Sequence, residues 1–178
     1  MQNITQIHTP LPADDLARTI TVARPNSDAS LRHLGVAGDT YTILLDGKQT
    51  NGSYCLIDMY VPPGGGPPTH RHDFEEMFTI LEGEITATFR GEEVIVRAGE
   101  TLNIPANAPH SFTNRSDRPA RMLCTCTPAG QEEFFQLIGV PVETGTTPPP
   151  KPTPEEQAEG QKKAEALAPR FRTEMLNP

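Results

Sequence analysis

Apolar residues recur at every second position through the middle of the chain, in short runs divided by turn formers. The runs Tyr41–Leu45, Tyr54–Val61, Glu76–Leu81, Ile85–Phe89, Glu93–Val96, Thr101–Ile104, His110–Asn114 and Ala120–Thr127 each read as a β-strand. Alternation with period two sends successive side chains to opposite faces, so each run offers one face to a core. Asp46-Gly47, Asn51-Gly52, Gly83, Arg90-Gly91 and Ala98-Gly99 punctuate them as turns. The Pro/Gly stretch from Pro62 to Pro68 suits neither a helix nor a central strand and predicts a loop. Short strands at even spacing predict an all-β fold of antiparallel strands, a barrel or a sandwich.

The pattern changes at both ends. Residues 1–36 have little periodicity and read as an N-terminal arm, placed across a sheet edge or a neighbouring subunit. Residues 37–128 hold the strands, and 129–178 form a helical C-terminal extension. In that extension Glu132–Ile138 predicts a short helix with Gly139 as its C-cap. A Pro-rich tether runs from Thr144 to Pro154, where Thr153-Pro154-Glu155-Glu156 supplies an N-cap, a Pro at N1 and a Glu at N3. The helix it starts should run to about Ala168 and, being alanine-rich, pack on the outside.

The chain has 178 residues, enough for one domain with a sizeable core, and its 19 Pro and 14 Gly are too many for a helical bundle. A net charge of −8 without a Lys/Arg cluster disfavours nucleic acid as a partner. No run approaches the roughly 18 apolar residues of a membrane span. The N-terminus lacks the basic start and apolar core of a signal peptide, so a cytoplasmic location is expected. Three cysteines, an odd number, make no disulfide framework.

The chemistry concentrates at His70, His72 and Glu76, answered by His110. Imidazoles at i and i+2 share a face only on a strand, and Glu76 returns to that face if the segment stays extended. Three imidazoles and a carboxylate form a divalent transition-metal site without sulfur. Glu76 has a second duty open to it, accepting a proton from a substrate hydroxyl. By alternation Phe78 and Ile80 share the face of Glu76, and Phe112 that of His110, which predicts a mostly apolar pocket, with Phe74 and Phe89 as further walls. Asp58 and Tyr60, on one face of their strand, are candidate polar contacts in it, whereas Arg71 and Asp73 should face away from the metal. Cys124 and Cys126 share a strand face and read first as small buried hydrophobes, with a metal or redox role as the alternative.

Gly64-x5-His70-x-His72-x3-Glu76-x6-Gly83 has the spacing of the first motif of the cupin superfamily. Gly99-x5-Pro105-x-Asn107-x2-His110-x3-Asn114 resembles the second, with Asn107 where the family usually has glycine. Glycine supplies the positive φ such a turn needs most cheaply and Asn is the next most tolerant residue, so the turn should survive. The resemblance implies a jelly-roll β-barrel with C-terminal helices. It also implies one divalent metal per chain on His70, His72, Glu76 and His110, iron or manganese favoured and nickel, cobalt or zinc open, and a homodimer. The tail from Ala129 to Pro141 resembles that of single-domain bacterial cupins related to quercetin 2,3-dioxygenase. That likeness points to a dioxygenase acting on a hydroxylated aromatic or enol-type small molecule. The alternatives are a non-oxidative isomerase or decarboxylase on the same four ligands, or a binding module without turnover.

Overall fold

The computed structural model describes residues 11–176. Its strands are β1 (His33–Val36), β2 (Asp39–Leu45), β3 (Cys55–Val61), β4 (His70–His72), β5 (Glu75–Glu82), β6 (Glu84–Phe89), β7 (Glu92–Arg97), β8 (Thr101–Ile104), β9 (His110–Thr113), β10 (Ala120–Thr127), β11 (Val140–Pro141) and β12 (Thr173–Met175). Helix α1 spans Gln131–Ile138 and α2 spans Pro154–Leu167, followed by a 3₁₀ turn at Ala168–Phe171. All pairings are antiparallel and fall into two sheets: β11-β1-β2-β3-β10-β5-β8 and β12-β4-β9-β6-β7. Among the described residues no ladder joins one sheet to the other. The architecture is therefore a two-sheet, cupin-like fold with two C-terminal helices; the expected antiparallel strands and C-terminal helices form, and among the described residues no ladder closes the sheets into a barrel.

The core lies between the sheets. Ile57, Met59 and Val61 of β3, Phe78 and Ile80 of β5, and Met122 of β10 meet Ile85 and Ala87 of β6 and Phe112 of β9, all buried. Burial of each of these side chains except Ala87 contributes about 1.5–3 kcal/mol. Helix α1 adds Phe134 and Phe135, the latter edge-on to Tyr41 of β2 at 5.0 Å. The buried Glu132 side chain ties that helix down by accepting from the backbone N–H groups of Gly47 and Gly130, both at 2.7 Å.

Both helices form where the sequence places them. The α2 N-terminus carries the full capping box, with Glu156 N–H donating to Thr153 and Thr153 N–H donating to Glu156, and the helix buries no residue. Three strands fall where none was expected, the two-residue β11 among them. β1 lies in the segment read as an arm and pairs with β2 and β11. β12 lies in the segment read as helical and pairs with β4, Thr173 opposite His72 and Met175 opposite His70. Ion pairs from Glu174 to Arg71 (2.5 Å) and Arg172 to Asp73 (2.6 Å) reinforce that contact. The end of the chain thus braces the strand that carries two histidines. No helix among the described residues is long and apolar enough to cross a membrane.

One interior polar group departs from the usual rule that buried atoms find partners. Asp39, at the start of β2, is fully buried, and its Oδ1 has no hydrogen-bond partner. Burial lifts its pKa to about 8, although bonds from the Tyr41 hydroxyl and the Gly66 backbone N–H act the other way. A folded-state value above the unfolded 3.8 means stability present at low pH and lost as pH rises toward 8, by up to about 1.4 kcal/mol per pH unit. Asp39→Asn keeps an acceptor for Gly66 and removes the ionisation. Urea denaturation between pH 4 and 8 should show a declining stability in the wild type and a flatter profile in the variant; equal slopes would contradict the assignment.

Candidate metal centre

The four candidate ligands come from both sheets. β4 presents His70 and His72, and β9 presents His110, which lies directly opposite His70 in the ladder. Glu76 belongs to β5 of the other sheet. Between His72 and Glu75 the chain bends at Asp73 and Phe74 instead of continuing as one strand. Glu76 therefore meets His72 across the gap between sheets, not along a shared strand face. Asn107 N–H donates to the His72 carbonyl (2.6 Å), and Asn107 takes a φ of 68°, the left-handed turn that asparagine accommodates.

One ligand atom from each of His70, His72, Glu76 and His110 lies within 4.8 Å of all the others. His72, Glu76 and His110 are buried, and His70 alone is partly exposed, which places the solvent side of the cluster at His70. Each imidazole is held at Nδ1 by a backbone carbonyl: His70 by Pro68 (3.0 Å), His72 by Phe74 (2.9 Å) and His110 by Ala108 (2.9 Å). With Nδ1–H donating to these acceptors, each Nε2 is left with a lone pair. Yet His72 Nε2 and His110 Nε2 both sit 3.1 Å from Glu76 Oε2. Two ring lone pairs converging on a carboxylate oxygen require a cation between them, either a proton or a metal ion. This donor set suits a divalent transition ion.

The ionisation tendencies agree with that arrangement. Burial alone would raise the Glu76 pKa, but the bonds and charges of His110 and His72 overcome it and hold the carboxyl well below its usual range. For His110, burial opposes protonation and the Glu76 contact outweighs it, raising the pKa. Burial, then the nearby charge of His110, lowers His70 to about 4, so its ring is neutral and available at ordinary pH.

Phe74 stacks on the His72 ring at 3.9 Å and 4°. Phe78 and Phe112 meet edge-on at 5.4 Å, and Ile80 is buried behind Glu76 on the same strand face. Phe89 is only partly buried, with the Arg90 guanidinium 4.7 Å from its ring. Arg71 and Asp73 point away from the cluster, into the ion pairs with the 172–174 segment. Asp58 and Tyr60 are not brought to the site. The inward set of β3 is Cys55, Ile57, Met59 and Val61, so Asp58 and Tyr60 occupy the other face, where Asp58 pairs with Arg121 at 2.5 Å.

Sequence reasoning passed over two neighbours of the centre. Tyr41, on β2, has its pKa raised well above the ordinary phenol value, first by burial and then by the charges of Asp39 and Glu76. Cys55 faces Cys126 across the β3–β10 ladder. The alternation of β2 and β3 carried both signals, since Tyr41 falls in step with Ile43, and Cys55 with Ile57.

Two antiparallel sheets thus bring three histidines and a glutamate together in a cluster that could hold a metal ion. The chain belongs to the cupin superfamily, and the family model described as Cupin domain matches residues 57–126. Quercetin 2,3-dioxygenase of Bacillus subtilis (strain 168) is 32% identical over 97 residues, 54% of this chain. The match spans 28% of that enzyme's length. Tetracenomycin polyketide synthase protein TcmJ of Streptomyces glaucescens is 28% identical over 116 residues, covering 64% of this chain and 78% of TcmJ. The solved structure of the polyketide cyclase RemF from Streptomyces resistomycificus shares the fold, with a TM-score of 0.54 and 18% identity over 84% of this chain and 99% of RemF.

Proposed function

We propose that this protein is a metal-dependent enzyme that rearranges an enolisable or phenolic small molecule by proton transfer, as an isomerase or decarboxylase does, without consuming dioxygen. The observation that carries the reading is the division of labour at Glu76: Oε2 is engaged by His72 and His110, while Oε1 meets only weakly bonding thiols. A carboxylate anchored through one oxygen keeps the other to take or return a proton within hydrogen-bond reach. A divalent ion on His70, His72, Glu76 and His110 would supply Lewis acidity and lower the pKa of a substrate hydroxyl or enol. The donors suit iron or manganese, and equally admit nickel, cobalt or zinc. The aromatic side chains of Phe74, Phe78 and Phe112 favour a flat, largely apolar substrate, entering past His70. Likeness to TcmJ over most of that protein's length supports a polyketide-like aromatic as the substrate class.

Oxidative cleavage of the same kind of molecule is the second reading, favoured by the identity shared with the Bacillus dioxygenase. We place the protein in the cytoplasm as a homodimer, one ion per chain. An oxygen-electrode screen of polyphenols, enediols and small hydroxy acids, with iron-, manganese- and nickel-loaded protein, separates the two chemistries. Product formed at equal rates with and without air supports proton-transfer catalysis. Turnover that stops under anaerobic conditions and consumes one dioxygen per product would overturn it in favour of the dioxygenase.

A further inference from the structure

We infer that Cys124, Cys126 and Glu76 form a second metal position, selective for thiophilic ions, that shares the Glu76 carboxylate with the histidine cluster. The inference concerns a site separate from the proposed reaction and stands whether or not that reaction is correct.

Cys124 and Cys126 are two apart on β10 and point to the same interior face, fully buried. Their sulfurs lie 3.7 Å apart, and Glu76 Oε1 is 3.3 Å from Cys124 Sγ and 3.7 Å from Cys126 Sγ. An ion held tetrahedrally, with sulfur at about 2.3 Å and carboxylate oxygen at about 2.0–2.2 Å, needs ligand edges of about 3.8 Å (S···S) and about 3.5–3.7 Å (S···O). The S···S distance and the Cys126 S···O distance match those edges, and the Cys124 S···O distance is slightly shorter, so the three side chains stand close to the geometry such an ion requires. Cys55, opposite Cys126 in the ladder, lies outside that three-ligand group. The carboxylate thus turns one oxygen to nitrogen ligands and the other to sulfur ligands.

The two positions differ in what they attract. Imidazole and carboxylate suit iron, manganese, nickel and cobalt, while buried thiols suit Cu(I), Zn(II) or Cd(II). Thiols ordinarily carry their protons at neutral pH. Uptake of a divalent ion by Cys124 and Cys126 therefore releases two protons to solvent and forms two metal–sulfur bonds. Only ions with strong sulfur affinity offset that cost. Their arrival also engages Glu76 Oε1 without displacing an ion on the histidines.

Cadmium(II) titration of the full chain tests this. The wild type should develop a sulfur-to-cadmium charge-transfer band that saturates at one equivalent, and X-ray absorption at the cadmium edge should find a shell of at least two sulfurs. The double variant His70→Ala/His72→Ala should keep the band while losing manganese(II) binding measured by electron paramagnetic resonance. The double variant Cys124→Ala/Cys126→Ala should lose the band and keep manganese binding, which also reports that it is folded. A wild type with only nitrogen and oxygen around cadmium overturns the inference, and needs no variant. So does a band that survives removal of both cysteines. Loss of manganese binding alone bears on the histidine centre and leaves the cadmium result standing.

Discussion

Replacing His110 with alanine will cost the protein both its metal and a large part of its metal-free stability, whereas His70→Ala will cost chiefly the metal. Structural four-ligand sites bind zinc with roughly 10–16 kcal/mol, so one ligand accounts for about 3 kcal/mol, or about 10²–10³ in affinity. Both variants should show that loss by elemental analysis after loading and dialysis. Their stabilities should part because of Glu76. That carboxylate is fully buried and ionised, and its Oε2 is held by His72 and His110, not by His70. Removing one partner of a buried charge costs about 3–5 kcal/mol, since the remaining charge is left undercompensated. His70 is partly exposed and bonds to the Pro68 carbonyl, so its loss strands no charge. Urea denaturation of the metal-free proteins should place His110→Ala far below wild type and His70→Ala near it. His33→Ala, outside the cluster and bonded to Thr42, should retain the metal. Equal stabilities of the two cluster variants would show that Glu76 is not held as described.

The cluster was legible in the chain because its signal is local and redundant. His70 and His72 at i and i+2 demand a strand, two glycine-punctuated motifs carry all four ligands, and Phe78 and Ile80 inherit their face from Glu76 by parity. The same parity misled at β3. Its two alternating sets, Leu56-Asp58-Tyr60 and Cys55-Ile57-Met59-Val61, both contain apolar residues, and the strand has a neighbour on each side. The four-membered set without a charge faces the core, and Asp58 turns outward to Arg121. β11 and β12 have only two and three residues, too short to display any period, and they exist because a partner strand is already there. The bend at Asp73-Phe74 that carries the chain between sheets has no turn-forming glycine or proline to announce it. The helix at Pro154–Leu167 was readable to within a residue because a capping box is a side-chain-to-backbone device written in four consecutive positions.

Glu76→Gln should hold metal weakly and lose catalysis by about 10²–10⁴-fold, the usual worth of a positioned general base. The amide is nearly isosteric, and its oxygen can take the place of Oε2 between His72 and His110, where only an acceptor is compatible with a bound cation. The NH₂ group then falls where Oε1 now meets Cys124 and Cys126, a position from which it can donate but not accept. Metal binding therefore loses one charge's worth of attraction while keeping four donors, and the proton acceptor disappears. Glu76→Asp supplies the complementary control. It restores the charge and the basicity, but the side chain is one methylene shorter and withdraws the carboxylate from the two imidazoles. Its kcat should recover only in part, with an acidic pH limb that Glu76→Gln lacks. Rates measured at saturating metal across the pH range distinguish these outcomes. If Glu76→Gln turns over as fast as wild type when fully loaded, Glu76 serves only as a ligand, and the proton acceptor has to be sought elsewhere.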